Sequence, residues 1–400
     1  MPGPIDEGTQ TVRGFKAAAV DSGLKKGHGT DMTLIVSEAA ASAAGVFTAN
    51  KVKAAPVLLT RKHIAGGTAR AIIANAGNAN ACTGNAGLSD AARTADLVGK
   101  TLGISPESVL VASTGVIGQR LDMDRVSKAI PELKATLTPE GIPMAAQAIM
   151  TTDSFPKTSS FDGMIDNRPY RILGLAKGAG MIMPNMATML CFILTDIQMT
   201  SEPMQKILRV ATENTFNRIT VDGDTSTNDM VMVMANGLSG AVIRSVAHKN
   251  VFQKVLDEIF LDLAKQLVRD GEGVTKLVEI MVRGAVSNSD ARNVADTVAH
   301  SPLVKTSFFG EDANWGRIVG AVGRAVAEVD PDNIDVYFDD VQMVKGGMGC
   351  GKAAEAEATK VLCKPEFVVT IDLNMGRGSD LIYTCDFSVD YVRINADYRS

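Results

Sequence analysis

Short apolar stretches that end in glycine- or asparagine-rich turns alternate with stretches of helical spacing along the whole chain. Residues 69–81 (ARAIIANAGNANA) and 108–115 (SVLVASTG) each read as a strand running into such a turn. Between them, LSDAARTADLVGKTL (88–102) spaces its apolar positions for an amphipathic helix, with Ser89 as its N-cap. LDMDRVSKAI (121–130) and PMAAQAIMTTD (143–153) predict two more helices, the second ending at Thr151, Thr152 and Asp153. RPYRILGLAKGAG (168–180) is strand-like as far as its glycines, and TMLCFILTDI (188–197) is a continuous apolar run of strand length, expected to be buried on both faces.

The second half repeats this grammar. Residues 201–216 and 250–270 are the clearest helices, and the strands NDMVMVMA, TKLVEIMVRGAV and NIDVYFDD follow at intervals. The stretch 366–394 reads as a hairpin around Gly376–Gly378. Together these elements predict an α/β protein, and a change of rhythm places a domain boundary near residue 283, giving a catalytic domain 1–282 and a C-terminal lobe 283–400.

Charge then narrows the function. The 400 residues carry 40 Lys and Arg against 45 Asp and Glu, a net charge of −5, which argues against a nucleic-acid binder. No apolar run approaches the length of a membrane span, and the first residues lack the basic and apolar regions of a secretory signal, so a cytoplasmic protein is expected. Five scattered cysteines suggest neither a disulfide framework nor a metal site.

Most candidate chemistry fails on its details. The four histidines lie far apart and beside no nucleophile elbow. Gly346–Lys352 has the spacing of a phosphate loop, yet Ala353 stands where a magnesium-binding hydroxyl is needed. A plain strand-to-helix connection is the better reading there, with a nucleotide-binding regulatory protein as its rival. DGDTSTNDM (222–230) begins like a calcium loop, but Thr227 and Val233 replace its glycine and glutamate.

The segment 174–196 is different. A glycine-rich turn carries Lys177, Pro184 stiffens the loop, and Ala187–Thr188 falls where the buried run begins. A threonine hydroxyl needs a base, and an N-terminal threonine supplies one in its own α-amine, which titrates near neutral pH. Producing that terminus requires a cut between Ala187 and Thr188. The hydroxyl can attack the Ala187 carbonyl, form an ester by N-to-O acyl shift and leave the ester to water. On these features alone, a buried strand start with an incidental threonine is the favoured reading.

KGAGMIMPNMATML resembles the self-cleavage motif of the ornithine acetyltransferase (glutamate N-acetyltransferase) family of arginine biosynthesis. The resemblance extends through NANACTGNAG, VASTGVIGQ, IMTTDSFPK, VDGDTSTNDMV, DGEGVTK, GEDANWGRI and the terminal YVRINADYRS. It implies an α chain 1–187 and a β chain 188–400, with Thr188 as both cleavage nucleophile and carrier of the acetyl group. It implies an oxyanion hole at Thr114 and Gly115, and substrate contacts at Thr151 or Thr152, Lys177, Thr188, Glu272, Asn395 and Ser400. Lys177 suits a substrate carboxylate and Glu272 an ammonium; the sequence does not say which threonine of the pair faces inward.

The implied fold is a layered α-β-β-α sandwich with a smaller C-terminal α/β lobe. The implied reaction moves acetyl from N2-acetylornithine to glutamate without a metal or other cofactor, in an α2β2 heterotetramer. Acetyl-CoA serves some members of the family as a second donor, and the residues do not settle its use here. A self-processing aminopeptidase or amidase, with water as acceptor, is the alternative.

Overall fold

The computed structural model describes residues 10–27, 29–183 and 189–397. The chain forms two units, one made of Met1–Gly178, Asn185–Asn217 and Asp224–Leu267, the other of Ala179–Pro184, Arg218–Gly223 and Val268–Ser400.

The first unit is built on one eight-stranded sheet. Its strands are β1 (Phe15–Val20), β2 (Met32–Phe47), β3 (Thr68–Asn75), β4 (Val109–Ser113), β5 (Lys157–Ile165), β6 (Arg168–Lys177), β7 (Leu190–Thr195) and β8 (Met230–Ala235). The order is β4-β3-β2-β8-β7-β6-β5, with β1 paired to β2. Its helices are α1 (Ala55–Ile64), α2 (Gly84–Leu102), α3 (Met123–Ala135), α4 (Ile142–Ala148), α5 (Ser201–Asn214) and α6 (Val246–Arg269).

β2 gives this sheet its shape. Its register against β3 shifts between Val36 and Ala41, and beyond Ser42 it pairs with β8 instead. An irregularity of this kind bends a strand, so β2 belongs to two arms of the sheet. The arms share one core, in which Ile35, Ile72 and Leu110 of the first meet Leu175, Phe192 and Met232 of the second. On the far face of the first arm, Leu34, Ile73 and Val111 pack with Val98, Val126 and Ile130 of α2 and α3. On the far face of the second, Gly174 leaves room for Ile193 and for Ile259 and Leu263 of α6; a Cβ at Gly174 would lie 2.8 Å from Leu263. The layers therefore run helix, sheet, sheet, helix.

β7 is buried on both faces, as its continuous apolar run predicts. Two helix ends differ from expectation. α2 begins at Gly84, not at Ser89, because the small residues 84–87 (GNAG) continue the helical turn without a large apolar signal. α4 stops at Ala148, and Thr151–Asp153 lie beyond it in a turn shaped by the Asp153 carboxylate.

The second unit holds β9 (Leu277–Ala285), α7 (Asn288–Ala299), α8 (Pro302–Phe309), α9 (Trp315–Val322), β10 (Asp335–Phe338), β11 (Val341–Lys345), β12 (Met348–Gly349), α10 (Lys352–Leu362), β13 (Glu366–Asp372), β14 (Gly378–Cys385) and α11 (Val389–Ala396). Its sheet runs β12-β11-β10-β13-β9-β14, and its core joins Ile280 and Val282 to Val294, Val298, Phe308 and Ile371. The expected C-terminal hairpin is not formed. β9 lies between β13 and β14, parallel to the first and antiparallel to the second, so a non-local strand takes the place of a neighbour in sequence. Residue 283 falls inside β9. In the phosphate-loop lookalike, Gly346 and Gly347 turn β11 into β12, and α10 starts at Lys352.

Candidate active site

β3 and β4 run parallel and end together at Asn75 and Ser113. Their ends are tied by Asn75, whose Oδ1 accepts from Ser113 Oγ at 2.6 Å and whose Nδ2 donates to the Asn78 carbonyl at 2.9 Å. Asn228 Nδ2 donates to the carbonyls of Ser113 and Ala79, each at 2.7 Å. The turn that follows β4 is thus held from two sides.

Gly115 has φ +130°, and a Cβ there would lie 2.3 Å from the Gly77 carbonyl carbon. Only glycine fits. Its N–H meets no acceptor among the described residues, which leaves it available to a ligand. Thr114 differs, because its amide already donates to the Asn75 carbonyl at 2.9 Å. What Thr114 offers a developing oxyanion is therefore its hydroxyl.

That hydroxyl has a charged neighbour. Lys177 ends β6 and is only 2% exposed. Its Nζ donates to Thr151 Oγ1 at 2.8 Å and to Thr114 Oγ1 at 3.3 Å. Thr152 is exposed, so Thr151 is the threonine of the pair that turns toward Lys177. Asp153 anchors the group: Oδ1 accepts from Lys157 Nζ at 2.7 Å and Gly178 N at 2.6 Å, and Oδ2 accepts from Thr151 N at 3.0 Å. Lys177 Nζ stands 3.7 Å from Oδ2. Burial opposes ionisation of Asp153, but the ammoniums of Lys177 and Lys157 outweigh it and hold the carboxyl well below the usual carboxylate range.

A second buried carboxylate precedes β8. Asp229 Oδ1 accepts from Met189 N at 3.0 Å, while Oδ2 meets no hydrogen-bond partner among the described residues. Complete burial raises its pKa well above the ordinary value, against the lowering effect of the Met189 amide.

Glu272 and Asn395 belong to the second unit. The Glu272 amide donates to the Ala179 carbonyl at 2.9 Å, and its buried carboxylate accepts from Asn395 Nδ2 at 2.8 Å. A Cβ at Gly180 would stand 2.5 Å from that carboxylate, so the second glycine of KGAG makes room for it. Gly273, at φ +69°, lets α11 approach, and a Cβ there would lie 2.5 Å from Tyr391 N. α11 in turn carries Asn395.

Of the residues singled out from the sequence, the structure gathers Thr114, Thr151 and Lys177 around one ammonium in the first unit, with Gly115 beside Thr114. It pairs Glu272 with Asn395 in the second. Ala187, Thr188 and Ser400 lie outside the described residues. Asp153, Lys157 and Asp229 were not singled out, and their sequence signal is slight: a buried Asp–Lys pair four residues apart looks like a solvated one. Among the described residues no three His, Cys, Asp or Glu side chains are arranged to hold a metal ion.

The sequence matches the ArgJ family over residues 16–400. The chain belongs to the ArgJ family. It is 51% identical over 391 residues to the arginine biosynthesis bifunctional protein ArgJ of Geobacter sulfurreducens, covering 97% of this chain and 100% of that one. The protein of the same name from Syntrophotalea carbinolica is 52% identical over 391 residues, with 97% and 99% covered. The crystal structure of the Bacillus halodurans bifunctional protein ArgJ aligns with a TM-score of 0.49 at 43% identity, covering 51% of this chain and 97% of that one. As an ArgJ protein, the chain is an enzyme of arginine biosynthesis, and no helix among the described residues is long and apolar enough to cross a membrane.

Proposed function

We propose that this ArgJ protein moves an acetyl group from N2-acetylornithine to glutamate by ping-pong chemistry through acetyl-Thr188. In this reading the precursor cuts itself between Ala187 and Thr188. The Thr188 hydroxyl attacks the Ala187 carbonyl carbon, and the amide nitrogen departs with a proton as the free α-amine. Water then splits the resulting ester, returning the Thr188 hydroxyl and leaving a carboxylate on Ala187. In each turnover that amine takes the hydroxyl proton as the oxygen attacks the acetyl carbonyl. The oxyanion is met by the Thr114 hydroxyl and the Gly115 N–H. Collapse expels the ornithine amine, which takes a proton. Glutamate then attacks the ester through its own amine and leaves acetylated, returning the proton to the Thr188 hydroxyl.

The observation that carries this reading is the turn after β4, which pairs an uncommitted Gly115 amide with a Thr114 hydroxyl whose oxygen already accepts from an ammonium. Glu272 and Asn395 supply an anion and an amide suited to a substrate ammonium, and Thr151 a hydroxyl. Lys177 supplies a cation for a substrate carboxylate, and Ser400 completes the substrate contacts. No metal or other cofactor takes part. The bifunctional names of the relatives support acetyl-CoA as a second donor. A cytoplasmic α2β2 assembly follows from the same reading. The family match over 16–400 favours glutamate over water as acceptor, against the amidase alternative.

Intact mass with N-terminal sequencing tests the scheme. The wild type runs as two pieces with Thr188 heading the second, and Thr188→Ala as one chain of 42.2 kDa without transferase activity. A cleaved Thr188→Ala protein, or ornithine release indifferent to glutamate, overturns it.

A further inference from the structure

We propose that Asp153 is a positioning residue for acyl transfer, holding the Lys177 ammonium behind the Thr114 hydroxyl so that its charge strengthens the oxyanion donor. This rests on the reading of Thr114 as that donor.

Asp153 and Lys157 have side chains that are fully buried, and that of Lys177 is 3% exposed. Burying charges is costly unless they are paired and hydrogen-bonded. Asp153 with Lys157 alone would already be a neutral pair, bonded at 2.7 Å. Lys177 brings a second cation to the same carboxylate, 3.7 Å from Oδ2, and it also acts on the buried Asp229.

The geometry shows where this second ammonium reaches. Lys177 Nζ stands 3.7 Å from Asp153 and donates to two hydroxyls, Thr151 at 2.8 Å and Thr114 at 3.3 Å. An ammonium donates only. The Thr114 oxygen must therefore accept, and its own hydrogen points to another acceptor. With the Thr114 amide committed to Asn75, that polarised O–H is the polar hydrogen the residue has left to offer. Attraction to Asp153 keeps the ammonium at this spot, and the Gly178 amide on Oδ1 fixes the carboxylate relative to the end of β6.

The test is a double-mutant cycle on fully cleaved full-length protein, with kcat and KM for acetylornithine and glutamate measured beside Tm. Asp153→Asn should lower kcat about 10²-fold, the scale of a lost oxyanion donor, with both KM values within about threefold. In a Lys177→Met background the same change should cost under about threefold. Lys157→Met breaks the same buried pair and should lower Tm while keeping kcat within about threefold. Should Asp153→Asn fail to fold, Asp153→Glu keeps the charge but displaces it, and should lower kcat at steady KM.

Additive losses in the cycle, or a kcat that follows Tm in both Asp153 and Lys157 variants, overturn the proposal. So does a rise in KM at constant kcat, which would leave Lys177 as a substrate contact alone. A wild type without acetyl transfer, or Thr114→Ala at full kcat, would instead show that the underlying reading has failed.

Discussion

Gly115 lies so close over Gly77 that the first carbon of any side chain would sit 2.3 Å from the Gly77 carbonyl carbon. Backbone meets backbone there, and neither strand end can yield without disturbing the Asn75 and Asn228 ties. Gly115→Ala should lower stability by about 1–3 kcal/mol, the scale of a strained backbone position. Acetyl transfer should fall at least about tenfold, because the amide aimed at the oxyanion moves with the turn. A denaturant midpoint with a kcat measurement checks both, and an unchanged kcat would place the oxyanion site elsewhere.

Thr114→Ala removes the hydroxyl but leaves the amide on Asn75. The fold should survive, and kcat should fall by about 10²–10³ with KM steady. Steady-state kinetics on cleaved protein decides it; a change confined to KM would make Thr114 a substrate contact only.

Glu272 offers a buried carboxylate on which the structure places one amide donor, Asn395. A hydrogen bond to a charged group is worth about 1.5–3 kcal/mol. Glu272→Gln should therefore raise KM for the amine-bearing substrates by roughly 10–100-fold. Gly180→Ala should act in the same direction by pushing a methyl group into the carboxylate. Equal affinities in the variants, read by isothermal titration, would remove Glu272 from the ammonium site.

Asp229 makes a prediction about pH. Burial raises its pKa, so the folded protein keeps this proton to higher pH than the unfolded chain does. Stability is then lost as pH climbs above the ordinary aspartate range. Asp229→Asn removes that dependence, and its gain in Tm over wild type should be larger at pH 8 than at pH 5. A gap independent of pH, or one that narrows, contradicts the assignment.

Much of this was legible in the sequence where local pattern decides structure. β7 announces itself by six consecutive apolar or small residues, and α6 by its period. The C-terminal hairpin misled because β13 and β14 each carry a strand pattern, and nothing local says that β9 will come between them. At the site, Thr114, Lys177 and Glu272 stood out through family resemblance. The choice of Thr151 over Thr152 needed the position of an ammonium from a distant strand. Asp153 escaped because burial, not residue type, separates a buried ion pair from a surface one.

The strand order has a mechanical consequence. β7 and β8 follow position 188 in sequence, yet they sit between β2 and β6, which precede it. If the backbone is severed after Ala187 as proposed, each fragment grips the other along two hydrogen-bonded seams, β2 with β8 and β6 with β7. The pieces are interlocked like fingers of two hands, and parting them means melting the unit. A nicked enzyme should unfold in a single step, with no free fragment released beforehand.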